Sequence, residues 1–433
     1  MKYTVFAKRR KKLSQLMSAN SIAIIESSSE KVRNNDSYYR YRQCSNFYYL
    51  TGYTKTDSVL ILVKQGKIMV EHFFSKKPNK HDETWTGKLF TSSYIKNKYQ
   101  FTKCGYLEDI DKNLLCYLRK SNTIYHSLNE ISNFNELLSK NIKKLDKEYR
   151  KGTHSPSNMS SLKKLIYRLR LIKSADEIKI IREACRISAN AHISLMKKCK
   201  PGLNEKHLEA ELIYNFNINN ATEAYTSIVA AGKNACVLHY IENNSPLKKG
   251  DLLLTDAACE LNYYASDITR TIPISGKYTL EQKNIYSIVL SAQKKAITKC
   301  IAGNTLTEIH QVAVYEVCKG LISLGLLHGT INQVINKQLY KKFFMHNTGH
   351  WMGLDVHDPL EYIADNKPIK LKPGMIFTVE PGIYINDEKS IPKKYHNIGV
   401  RIEDDILITK SKPEVLTSQA PKNINDIEKI MKS

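Results

Sequence analysis

The chain has 433 residues, 42% hydrophobic and 25% charged, the balance of a soluble globular protein long enough for more than one domain. No apolar run approaches the roughly 20 residues that cross a bilayer, and the basic N-terminus lacks the apolar core of a secretory signal. The formal charge is +24, but the lysines are spread along the whole chain, so neither a nucleic-acid partner nor a membrane is expected.

Taken in chain order, the one basic run, KRRKK at 8–12, is expected on the polar face of a first helix. IAII (22–25), SVLILV (58–63) and KIMVEHFF (67–74) read as strands, and 107–118 and 134–148 as helices. KGTHSPSNMSS (151–161) is polar and turn-rich, which suits a linker. A long amphipathic helix follows from about Ser174 to Lys198, opened by S-A-D-E and stopped at Pro201-Gly202. Helices at 204–218, 280–301 and 305–324 alternate with strands at 226–231, 251–257, 263–274, 374–380 and 399–409. The expected class is α+β, a mixed α/β domain at 1–172 and then, at 173–433, helices packed on a mostly antiparallel sheet. Nine cysteines occur singly, with no C-x-x-C, which favours reduced thiols and a cytoplasmic location.

FMHNTGHWMGLDVHD (344–358) holds three histidines. On a helix, His346 and His350 would share a face, but Gly349 and Gly353 interrupt the stretch, and each glycine costs about 1 kcal/mol in a helix interior. A loop and strand fit better. In DLLLTDAACELNYYASDITRT (251–271), two apolar strands flank a turn at Glu260–Tyr263. A turn centred between Leu261 and Asn262 makes Asp256 and Asp267 direct cross-strand partners, with Cβ atoms about 4.5–5.5 Å apart. Like charges so placed destabilise a sheet, and a divalent cation removes the objection. Glu380 ends the strand GMIFTVE. In VRIEDDILIT, alternation puts Val400, Ile402 and Asp404 on one face and Arg401, Glu403 and Asp405 on the other. Four carboxylates and one imidazole formally balance two divalent ions, which in such clusters lie about 3.5–4 Å apart. Oxygen-rich ligation with one nitrogen suits Mn, Co or Fe, with Zn also admitted.

With NNDSYYRYRQCSNFYYLTG (34–52), ETWTG (83–87), LHYIEN (238–243), PGMIFTVEPGIYI (373–385) and NIGVRIEDDILIT (397–409), these segments resemble the Xaa-Pro aminopeptidases (aminopeptidase P) of the M24 metallopeptidase family. The resemblance implies a C-terminal catalytic domain with the pita-bread fold and an N-terminal domain that shapes substrate access and subunit contacts. It implies removal of the N-terminal residue from peptides with proline second, by a hydroxide bridging two divalent ions, Mn²⁺ before Co, Fe or Zn. The implied metal ligands are Asp256, Asp267, His350, Glu380 and Glu403, with Asp267 and Glu403 bridging. Glu380 as general base, His239, His357 and Arg401 are the implied catalytic groups. His346, Tyr384, Trp85 and Asp36 are implied to contact substrate, the tryptophan reaching a neighbouring subunit in oligomeric relatives. A homodimer or homotetramer is expected. The family register starts near residue 1, so no added presequence is expected. His154 and Lys367 stand where some relatives carry arginines, and neither offers a planar bidentate fork. The alternatives are a prolidase on the same fold, which takes Xaa-Pro dipeptides, and a non-catalytic binding protein. Without the resemblance, His239 reads as an ordinary core histidine, and Trp351 as packing beside His350.

Overall fold

The apolar runs IAII (22–25) and SVLILV (58–63) are buried on both faces, at the centre of one six-stranded sheet. The structure, a computed structural model, describes residues 1–127 and 133–432 and divides into two units, Met1–Arg170 and Leu171–Ser433. In the first unit, α1 (Tyr3–Leu16) precedes β1 (Ser21–Glu26), a small hairpin of β2 (Val32–Asn34) and β3 (Ser37–Tyr38), and α2 (Ser45–Thr51). Then come β4 (Ser58–Gln65), β5 (Ile68–Ser75), α3 (Lys80–Thr86), α4 (Ser92–Tyr99), β6 (Lys103–Tyr106) and α5 (Ile110–Leu118). β7 (Thr123–His126), α6 (Asn133–Asp146), β8 (Asn158–Ser161) and α7 (Leu162–Leu171) complete it. The sheet order is β6-β5-β4-β1-β7-β8, antiparallel at β1/β4 and β4/β5 and parallel at the other three pairings. Ile22, Ile24, Val59, Ile61 and Val63 pack against α5 and α6 on one face. The opposite face carries Phe73, stacked on Phe101 at 4.6 Å and edge-on to Tyr53 at 5.0 Å.

Two expectations change here. KRRKK does not lie on a polar face throughout, because Arg9 and Arg10 are buried. Arg10 shares the inward stripe of α1 with Phe6 and Leu13. Its guanidinium pairs with Glu71 at 2.8 Å and donates to the carbonyls of Leu50, Tyr99 and Gln100. Those carbonyls lie at the C-terminal ends of α2 and α4, where helices leave acceptors unpaired. The polar segment 151–161 is no linker but part of the first unit, with 158–161 forming the edge strand beside β7.

In the second unit, α8 (Ala175–Lys198) starts at a capping box of Ser174 and Glu177 and is followed by α9 (Glu205–Ile218). The expected sheet is divided into short antiparallel ladders. One has the order β10-β11-β14, built from β10 (Ile228–Ala231), β11 (Leu252–Asp256) and β14 (Thr269–Pro273), numbered after β9 (Thr222–Glu223), β12 (Cys259–Leu261) and β13 (Tyr264–Ala265), which pair as β13-β12-β9. After α10 (Leu280–Thr298), α11 (Leu306–Ser323) and the hairpin of β15 (Ile363–Ala364) and β16 (Lys367–Pro368) come the remaining strands. β17 (Ile376–Val379), β20 (Asp404–Leu407) and β21 (Glu414–Val415) form one ladder, and β18 (Gly382–Ile385) and β19 (Ile398–Arg401) another.

The long strands expected at 263–274 and 399–409 are therefore each broken, at 266–268 and 402–403, where the chain passes from one ladder to another. The turn between β12 and β13 is centred on Asn262 and Tyr263, both at positive φ (50° and 71°), one position later than expected. Asp256 consequently faces Thr269, and Asp267 is not its direct partner but lies two residues off on the diagonal.

Candidate metal centre and active site

The strand ends and breaks are where the acids gather. Asp256 ends β11, Asp267 lies between β13 and β14, Glu380 between β17 and β18, and Glu403 between β19 and β20. The acids thus stand where one ladder gives way to the next rather than inside a regular strand. The segment around His350 contains no helix and pairs antiparallel with β17, through Thr378 N–H to His350 O (3.0 Å) and Glu380 N–H to Thr348 O (2.8 Å). Gly349 permits that approach, since a Cβ there would lie 1.9 Å from the Thr378 carbonyl oxygen.

Ligating atoms of Asp267, His350 and Glu403 all lie within 4.8 Å of one another. His350 Nε2 is 3.3 Å from Asp267 Oδ2 and 3.5 Å from Glu380 Oε1. Its Nδ1 lies 3.2 Å from the Trp351 carbonyl, the arrangement that makes Nδ1 the donor and leaves Nε2 to ligate. The Tyr225 hydroxyl sits between the first two acids, 2.6 Å from Asp256 Oδ1 and 2.5 Å from Asp267 Oδ1. Thr269 Oγ1 donates to Glu403 Oε2 (2.7 Å), and Thr378 Oγ1 to Glu380 Oε1 (3.1 Å).

A chain of polar contacts forms one side. Arg401 Nη2 binds Asp256 Oδ2 at 2.6 Å, and Nη1 donates to the Tyr384 hydroxyl at 2.8 Å. That hydroxyl is 2.9 Å from His346 Nε2, while His346 Nδ1 is 2.7 Å from the Asn347 carbonyl. A neutral His346, with Nδ1–H donating and Nε2 accepting from Tyr384, satisfies all of these contacts. Burial, and then the charge of Arg401, hold the His346 pKa down at about 4, in agreement.

Burial dominates the electrostatics of the acids. It pushes Glu403 well above the carboxylate range, reinforced by the charges of Asp267, Glu380 and Asp256. It raises Glu380 to about 7 against the opposing charges of His350 and Arg401. For His350, burial disfavours the charged ring, but the hydrogen bond to Asp267 and the charges of Glu380 and Asp267 lift it to about 9. Burial and the neighbouring His350 lower His357, whose ring centroid is 4.1 Å from that of His350. Four carboxylates thus crowd one site, and two of them, Glu380 and Glu403, hold protons more tightly than an ordinary carboxylate. This donor set fits divalent cations, which would take the place of those protons.

These groups line a cavity of about 400 Å³ that His239, His346 and His357 also face. Asp256, Asp267, His350, Glu380, Arg401 and Glu403 all reach it, and Tyr384 supports it from behind with a buried ring. His239 is exposed at its edge rather than in a core. Trp351 is buried, packed edge-on against Phe377 at 5.8 Å. Trp85 on α3 and Asp36 between β2 and β3 belong to the first unit and are exposed, as is His154. Lys367 is exposed on β16. Sequence reasoning missed Tyr225, which no local pattern marks. It also missed Thr269 and Thr378, although each lies two residues from an expected ligand and so on its side of an extended chain.

Among the described residues, no helix is long and apolar enough to cross a membrane. Residues 179–410 match metallopeptidase family M24, and residues 6–125 match the aminopeptidase P N-terminal domain. The Xaa-Pro aminopeptidase of Escherichia coli is 37% identical over 428 residues, 98% of this chain and 97% of that protein. The structure of Pseudomonas aeruginosa aminopeptidase PepP superposes with a TM-score of 0.97 at 41% identity, covering 100% of this chain and 98% of that one. Zinc-substituted E. coli aminopeptidase P in complex with product gives 0.97 at 36% identity, with the same coverage. The expected pita-bread architecture behind an aminopeptidase P-type N-terminal domain is therefore the fold of this chain. A chain matched from end to end by such enzymes belongs to the M24 metallopeptidase family, in its Xaa-Pro aminopeptidase branch.

Proposed function

We propose that this hydrolase removes the first residue from peptides with proline second, using two divalent ions held by Asp256, Asp267, His350, Glu380 and Glu403. The observation that carries the reading is the convergence of Asp267, His350 and Glu403 within 4.8 Å, with two more acids on the same cavity. The ions, Mn²⁺ first on donor grounds, supply an acidified water and offset charge on the carbonyl oxygen. Glu380, half-buried and steadied at Oε1 by Thr378, takes the proton of the attacking water. Arg401 orients Asp256 by donating to its Oδ2, and that carboxylate receives the free α-amino group. His239 and His357 supply donors, one for the carbonyl oxygen and the other for the proline nitrogen as it leaves. An X-Pro bond has no amide N–H, so the site must accept the ring and cannot rely on that donor. Cleavage is proposed to occur in a cytoplasmic homodimer or homotetramer, in which a second copy covers Trp85, 79% exposed in the single chain.

The test is hydrolysis of Xaa-Pro-Xaa, Xaa-Pro and Xaa-Ala-Xaa peptides after loading with Mn²⁺, Co²⁺, Fe²⁺ or Zn²⁺. The tripeptide with proline should be cleaved best, and Glu380→Ala and His350→Ala should lose activity. Full Mn²⁺-dependent turnover by either variant would sink the mechanism, and preference for the dipeptide would make the chain a prolidase.

A further inference from the structure

Asp404 and Asp405 are consecutive and both fully buried, yet they live in opposite surroundings. Asp404 is saturated, taking donors from Arg270, Lys422, Gln293 and Thr417. Asp405 uses only one oxygen. Its Oδ2 accepts the Asp267 N–H at 2.9 Å and the Cys185 S–H, from α8, at 3.2 Å, while buried Oδ1 has no hydrogen-bond partner among the described residues. An unsatisfied buried oxygen costs about 1–3 kcal/mol, so stability alone gives no reason for a carboxyl here.

The N–H that Asp405 holds lies at the break between β13 and β14, between the backbone bonds of Ser266 N–H to Cys259 O and Ala257 N–H to Ile268 O, and its own acceptor is a side chain. Asp405 itself is fixed, paired with Thr378 in β20 and receiving the Leu416 N–H on its carbonyl. It stands two residues beyond Glu403, and Thr378 is the residue that bonds Glu380 and the His350 N–H. One side chain thus ties the backbone of Asp267 to the strand that follows directly on Glu403 and pairs with the His350 support.

We propose that Asp405 is a positioning residue for the metal centre: by accepting the Asp267 N–H it sets where the Asp267 carboxylate stands relative to Glu403 and His350. Asp405 touches neither substrate nor ion. The inference rests on the metal-binding reading above.

The experiment is calorimetric titration of the metal-free, full-length chain with Mn²⁺, beside its unfolding temperature without metal. Asp405→Leu fills the same space without an acceptor and should bind Mn²⁺ about 10–100-fold more weakly, with the metal-free unfolding temperature preserved. Asp405→Asn keeps an acceptor oxygen and should stay within about threefold of the parent, a rescue that a purely structural role would not produce. Equal affinity of the leucine variant and the parent would overturn the proposal, as would equal loss in both variants. So would a leucine variant that does not fold beside an asparagine variant that binds normally, since position 405 would then serve folding alone. A parent chain that takes up no Mn²⁺ would instead overturn the reading of the site itself.

Discussion

Replacing Gly349 with alanine should cripple hydrolysis while leaving every ligand in the sequence. The added Cβ would lie 1.9 Å from the Thr378 carbonyl oxygen and 2.8 Å from its carbon, where real Cβ contacts stay beyond 3.0 Å. The obstacle is backbone, so no rotamer change relieves it, and the two segments must part by about 1 Å. That movement strains the pairing through His350 O and Thr348 O, which carries His350 on one side and Glu380 on the other. Overpacking of this kind costs about 1–3 kcal/mol of stability. The catalytic cost is larger, because a 1 Å misplacement is worth about 100-fold in rate. Steady-state hydrolysis of an Xaa-Pro-Xaa peptide at saturating Mn²⁺, with unfolding temperature measured in parallel, separates the two effects. A Gly349→Ala enzyme within about threefold of the parent rate would refute the claim that close approach at this glycine aims His350 and Glu380.

Two predictions concern the first unit. Arg10→Met should destabilise the chain by about 3–5 kcal/mol in denaturant unfolding, because it strands buried Glu71 and removes the donor from three helix-end carbonyls. A loss under about 1 kcal/mol would show that the guanidinium is replaceable there. His72 is held at a pKa of about 4, by burial first and then by the charge of Lys103. Below its ordinary value of 6.5 the unfolded chain binds a proton that the folded chain refuses, so stability should fall as pH drops from 6.5 to about 4. His72→Phe should flatten that part of a stability–pH curve, and an unchanged slope would exclude His72 as the source.

The chemistry of the site was more legible than its geometry. Asp256, Asp267, Glu380 and Glu403 stand out because acids interrupt apolar runs, and all four reach one cavity. How they meet was hidden. Direct pairing of Asp256 with Asp267 depended on turn placement, and a one-position shift at Asn262–Tyr263 made the contact diagonal. Tyr225 bridges those acids from a segment remote in sequence, which periodicity cannot report. Arg10 was misread because a charged residue on an inward stripe counts as polar until the helix ends it serves are seen. The breaks at 266–268 and 402–403 were invisible because the residues on both sides favour strand, and only the partner ladders determine where pairing stops.

Those breaks also bear on how this chain can change. Each interrupts a regular ladder, and there the Glu403 carboxylate is held by Thr269 and the Asp267 N–H by Asp405. A substitution that let β13 run into β14, or β19 into β20, would add ladder hydrogen bonds and improve the fold, while moving the backbone that carries Asp267 and Glu403. Gains in stability at these few positions would therefore come at the expense of activity, whereas gains on α1, α6 or the outer strands would not. Selection for heat resistance without selection for turnover should accumulate changes at these seams first, which makes them the places to avoid in any effort to harden the enzyme.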